Sequence, residues 1–83
     1  MSIEQFVLAY NNIGDNMKFQ RIRDLREDAD LTQTEIGKAI NLPQRTYAYY
    51  ESGDRTIPPE VLISLAKFYK TSVDYILGLT DKK

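Results

Sequence analysis

The sequence predicts an all-α fold: five short helices in one domain spanning residues 17–80, preceded by an extension over residues 1–16 and followed by a tail at 81–83. Apolar residues recur at steps of three and four in successive stretches of the 83-residue chain, the period of helices with one buried side. Start and stop residues punctuate those stretches, with Thr32 and Ser72 suited to caps and Asn41, Gly53 and Gly78 suited to ends. Nothing in the chain reads as a strand.

In the extension, Ser2 and Gln5 have capping-box spacing, and Ile3, Phe6, Val7 and Tyr10 fall on one helical face. About ten residues of helix are marginal alone, so this segment either docks on the domain or a second subunit or is disordered. Asn11, Asn12, Gly14 and Asp15 read as the turn that follows. The first core helix is expected from about Lys18 to Ala29, with Phe19, Ile22, Leu25 and Ala29 inward. Thr32 and Glu35 predict a capping box opening the next helix, whose apolar face carries Ile36, Ala39 and Ile40. Asn41 enters the left-handed region at modest cost and ends it. Pro43 holds Leu42 extended and starts a third helix, in which Tyr47 and Tyr50 face inward and which Gly53 ends.

A loop over residues 54–59 leads to a helix from about Pro59 to Tyr69, with Val61, Leu65 and Phe68 in one stripe and Leu62, Ala66 and Tyr69 beside it. That face is wide enough to be mostly buried. Thr71 or Ser72 caps a last short helix carrying Val73, Ile76 and Leu77, and Gly78 terminates it. Lys82 and Lys83 read as a frayed end.

Composition narrows the chemistry. The chain has no cysteine and no histidine, which removes disulfides, thiolate chemistry, and the commonest metal ligand and general base. No catalytic constellation, metal site, cofactor or small-molecule ligand is evident, and an enzyme is the remotest reading. No apolar run reaches transmembrane length and the start lacks signal-peptide character, so the expected location is the cytoplasm. A core this small gains from a partner chain. The net charge of −1 runs against a nucleic-acid binder, whose surface is ordinarily basic. The charges are unevenly spread, however: Asp24, Glu27, Asp28 and Asp30 gather near the end of the first core helix, while Arg45 and Arg55 flank the third.

The stretch from Thr32 to Gly53, TQTEIGKAINLPQRTYAYYESG, therefore reads as two short helices around a tight turn. This is the spacing of a helix-turn-helix motif, and equally that of an ordinary helical hairpin inside a bundle. The residues themselves resemble the helix-turn-helix domains of phage repressors, Cro proteins and related small bacterial regulators. The likeness begins near Phe19 with RIRDLREDADLTQTEIG, passes through YYESGDRTIP and ends at LAKFYKTSVDYILGL, about three quarters of the chain. Gln33 opening the first motif helix, Glu51, Ser52 and Gly53 closing the second, and Ser72 to Tyr75 opening the last stand where that family has such residues. Gly37 departs from the family's common alanine, Asn41 from its turn glycine, and Tyr47 and Tyr50 from its aliphatic residues.

The resemblance implies a repressor-type DNA-binding domain, in a bacterial cell or encoded by a phage. It implies base reading by Gln44 and Arg45, with further contacts near Ala48 and Tyr49. Glutamine can pair with adenine, arginine with guanine, and Ala48 or the Tyr49 ring can meet a thymine methyl. Thr32 and Gln33, at a helix start, favour phosphate; Arg55 is the leading phosphate clamp, with Thr46 and Lys38 behind it. The family also pairs an arginine placed as Arg26 with the glutamate that ends the recognition helix, here Glu51.

Two functions from different classes follow. The first is a sequence-specific double-stranded DNA-binding transcriptional regulator, a repressor, acting as a homodimer on a palindromic operator; Ile57, Tyr75, Ile76 and the first helix are candidate dimer surfaces. The second is an antitoxin-like module whose main role is to mask a protein partner, which the acidic balance favours.

Overall fold

Among residues 19–83, which the computed structural model describes, α1 spans Gln20–Asp28, α2 Gln33–Ala39, α3 Gln44–Ser52, α4 Pro59–Tyr69 and α5 Val73–Leu77. The expectations for residues 1–16, and for Met17 and Lys18, lie outside these residues. Every helix stops the same way. Asp30, Asn41, Gly53, Lys70 and Gly78 take left-handed backbone, with φ of 57°, 61°, 86°, 56° and 81°. In four of the five, the next amide donates back to a carbonyl five residues earlier: Leu31 to Arg26, Leu42 to Gly37, Thr71 to Ala66 and Leu79 to Asp74, at 2.7–3.1 Å. These closures satisfy carbonyls that a helix end would otherwise leave without partners.

Helix starts follow the local chemistry. The Thr32 hydroxyl accepts from the Glu35 amide at 3.1 Å while the Glu35 carboxylate accepts from the Thr32 amide at 2.9 Å. The Thr32 amide foremost, and the Thr32 hydroxyl after it, hold the Glu35 carboxyl below its ordinary range. Ser72, not Thr71, caps α5 by accepting from the Tyr75 amide. Pro59 opens α4 in the first turn, where its missing N–H costs nothing.

The core draws on every helix: Phe19, Ile22 and Leu25 around α1, Ile36 from α2, Tyr47 from α3, Leu62, Leu65 and Ala66 from α4 and Ile76 from α5, with Ile57 from the α3–α4 loop. Each fully buried leucine or isoleucine contributes about 1.5–3 kcal/mol. Ile57 and Ile76 are spent in this core and cannot also form a dimer surface. Three expected inward residues face solvent. Ala29 follows the end of α1 and is exposed. Ala39 is exposed because the buried side of α2 is centred between Ile36 and Gly37, about 110° away at 100° per residue. Phe68, 42% exposed, and Ile63, 48% exposed, flank the α4 core stripe in the same manner.

The segment after α5 is tied to α1 through Arg21. Arg21 donates to the backbone carbonyls of Tyr75, at 2.8 Å, and Thr80, pairs with Asp81 at 2.6 Å, and lies 4.2 Å from the centre of the Tyr75 ring. The Lys83 ammonium lies 5.9 Å from that ring. Tyr75 is therefore covered on this side by its own chain.

Gly37 sets the approach of α2 and α3. A Cβ there would lie 2.7 Å from the Leu42 carbonyl oxygen and 3.7 Å from the Gln44 backbone. Closeness of this kind needs the missing side chain, since the obstructing atom is backbone. We expect Gly37→Ala to destabilise the domain despite alanine's helix propensity. Overpacking costs about 1–3 kcal/mol against a gain of up to about 1 kcal/mol, and a urea midpoint at or above the parent value would disprove the close contact.

Candidate nucleic-acid interface

The two helices flanking the Asn41–Leu42–Pro43 turn present one exposed face. At 3.6 residues per turn, Gln44, Ala48 and Ser52 form one row along α3 and Arg45 and Tyr49 the next, while Tyr47 and Glu51 point inward. Gln44 and Arg45 are exposed in the first turn of α3; Ala48 and Tyr49 are half-buried. Thr46 lies in the row of Tyr50, turned from the Gln44 side. Lys38 is exposed in the last turn of α2, apart from the others.

Polar contacts bind this face to the core. The Gln44 side-chain amide donates to the Gln33 carbonyl oxygen at 2.7 Å, and the Gln33 amide donates to Glu51 at 3.4 Å. Glu51 also accepts two bonds from Arg26, from Nε and Nη2, both 2.9 Å, and the remaining Arg26 nitrogen donates to the Leu31 carbonyl at 2.8 Å. This relay runs from the base of α1 to the exposed start of α3. Glu51 is only 5% exposed. Burial pushes its carboxyl up, yet the Arg26 hydrogen bonds and charge and the neighbouring Tyr47 hydroxyl more than offset this and hold it below the usual carboxylate range. The hydrogen bond to Glu51 raises the Arg26 guanidinium correspondingly. Burial raises the Tyr47 phenol, whose hydroxyl lies beside that carboxylate without hydrogen-bond geometry, and pushes Tyr69 up to about 12.

Two arginines meet on Tyr49. Arg45 donates Nε to the Tyr49 hydroxyl at 3.1 Å, and the Arg55 guanidinium lies 4.6 Å from the centre of the Tyr49 ring. The capping box occupies the amides of Thr32 and Glu35, so at this helix start the Gln33 and Thr34 amides are the first-turn donors that remain. The Thr32 amide is thereby withdrawn from phosphate binding.

The sequence pattern of the HTH_3 helix-turn-helix family matches residues 22–76, from the first buried residue of α1 to the last of α5. The chain belongs to the helix-turn-helix family. It is 42% identical over 65 residues to the HTH-type transcriptional regulator YobD of Bacillus subtilis, covering 78% of this chain and 58% of that protein. It is 43% identical over 49 residues to the CTXphi transcriptional repressor RstR of Vibrio cholerae, covering 59% of this chain and 44% of the repressor. The chain thus spans about half the length of these curated relatives. The DNA-binding domain of the P22 C2 repressor superposes with a TM-score of 0.67 over 84% of this chain and 96% of that domain, at 23% identity, a likeness of fold.

Within this helix-turn-helix domain, Arg23 escaped the sequence reading. It pairs with Glu27 at 2.7 Å and lines a polar cleft of about 310 Å³ with Arg26, Gln33, Glu51 and Ser52. Its four-residue spacing from Glu27 was a usable signal; its place beside Gln33 was not. Among the described residues no cluster of acidic side chains could hold a metal ion, and no helix is long and apolar enough to cross a membrane.

Proposed function

We propose that this helix-turn-helix chain is a sequence-specific regulator of transcription, a repressor that binds a palindromic operator in double-stranded DNA as a homodimer with α3 in the major groove. The observation that carries this reading is the pair Gln44 and Arg45, adjacent in the exposed first turn of α3 and each held by a neighbouring side chain. The N-terminal half of a recognition helix is what reaches base edges, and these two side chains present the donor and acceptor sets that read adenine and guanine. Ala48, in the row of Gln44, would meet a thymine methyl. Gln33, Arg55, Thr46 and Lys38 supply phosphate contacts that set register. The relatives described as regulators and a repressor support the same reading.

Repression would follow from occupancy of a promoter. The test is selection of bound sequences from a random duplex pool at fixed salt. The expected product is a palindrome whose half-sites lie about 34 Å apart. A folded chain that enriches no site refutes the proposal and turns attention to a masked protein partner.

A further inference from the structure

We infer that Tyr49 is a positioning residue that couples the two arginines of the interface, so that the hold on the DNA backbone and the reading of a base depend on each other. This rests on the DNA-binding reading above and changes the part Tyr49 plays in it. The Arg55 guanidinium covers the ring at 4.6 Å, and the hydroxyl accepts from Arg45 Nε at 3.1 Å. The backbone closes the same unit, because the Arg55 amide donates to the Tyr49 carbonyl at 3.2 Å. Arg55 therefore reaches Tyr49 through both main chain and side chain, although the two residues belong to a loop and a helix.

The physical consequence is pre-organisation. An exposed arginine samples many rotamers and loses that freedom when it binds. Tyr49 restricts both arginines before DNA arrives: a hydrogen bond fixes the Nε edge of Arg45, leaving the terminal nitrogens for a base, and the ring holds Arg55 beside the end of α3. Two like charges gathered on one ring also repel, and a phosphate bound at Arg55 relieves that repulsion. Occupation of the phosphate site thereby favours the Arg45 arrangement that reads the base. Tyr49 acts through both arginines and touches neither base nor phosphate.

The test uses the full chain on the duplex recovered by selection, with Arg45→Ala, Arg55→Ala and their combination measured in the parent, Tyr49→Phe and Tyr49→Leu backgrounds. Cation–ring contacts at partly exposed sites correspond to about 2- to 5-fold in affinity. In the parent, the losses from the two arginine substitutions should depart from multiplicative by about that factor. Tyr49→Leu should make them multiplicative. Tyr49→Phe keeps the ring under Arg55 but loses the hydroxyl, so it should relax preference at the base position read by Arg45 while leaving the salt dependence of binding unchanged. Arg55→Ala should instead lower that dependence by about one ion.

Thermal unfolding of each variant separates loss of fold from loss of coupling. In the free chain, ring-current shifts on the Arg55 side-chain protons should persist in Tyr49→Phe and vanish in Tyr49→Leu. Multiplicative losses in a parent that still selects its duplex overturn the inference and leave the DNA reading standing. A parent that selects no duplex overturns both.

Discussion

Glu51→Ala should lower the unfolding free energy by about 3–5 kcal/mol, the cost of leaving a buried charge without its partner. Arg26 would keep only its bond to the Leu31 carbonyl, and Gln33 would lose its inner acceptor. A chain of this size has a total stability of about 4–12 kcal/mol at roughly 0.05–0.15 kcal/mol per residue. The variant should therefore melt at least about 12 °C lower. The pair fixes orientation more than it adds net stability, so replacing both partners with Arg26→Met and Glu51→Leu should recover much of the loss. A single-variant loss below about 1 kcal/mol would mark the pair as a solvated one.

The same carboxylate gives the domain an acid limb. Its pKa is depressed in the folded state, so its stabilisation is fully present above the unfolded carboxylate value of about 4.3. It is lost as pH falls through the lower folded value. Stability measured between pH 6 and pH 2 should fall in the parent, and Glu51→Gln should flatten part of that fall.

Local chemistry accounts for what the sequence made legible. Thr32 with Glu35, Asn41, Gly53, Ser72 and Gly78 act through neighbours within five residues, so their roles appear in the sequence without knowledge of the fold. Asp30 and Lys70 also turn left-handed; aspartate, like asparagine, is a type that enters this region, whereas lysine is not and gives no signal. Periodicity located the apolar stripes of α2 and α4 without their centres, which is why Ala39 and Phe68 were assigned inward. Arg21 reaches residues 54 to 60 positions away, a distance over which no spacing rule operates. Arg26 and Glu51, 25 positions apart, were linked through the family resemblance alone. At the interface, the sequence indicates which residues start α3, but not that Gln44 leans on Gln33 or that Arg45 and Arg55 share Tyr49. Those contacts depend on how α2 and the α3–α4 loop are brought together, and the backbone approach at Gly37 sets the first of these.

The double substitution Gln44→Ala and Arg45→Ala should abolish discrimination while sparing the fold. Both side chains are exposed, and surface changes of this kind typically shift stability within about 0.5 kcal/mol. Losing Gln44 frees the Gln33 oxygen to water, and Gln33 keeps its donor on Glu51. Each well-formed side-chain-to-base pair is worth about 1–3 kcal/mol of discrimination, or about 5- to 150-fold. Fluorescence anisotropy on the selected duplex and on a scrambled duplex should therefore show the two affinities converge. Affinity for the scrambled duplex should change far less, because it rests on phosphate contacts and counterion release. The phosphate contacts are untouched, so the salt slope should stay close to the parent's. Arg55→Ala should give the opposite pattern, weakening both duplexes together with preference retained. A double variant that still prefers the selected duplex would place sequence reading elsewhere on the chain, and a variant that loses both duplexes equally would reduce Gln44 and Arg45 to backbone contacts.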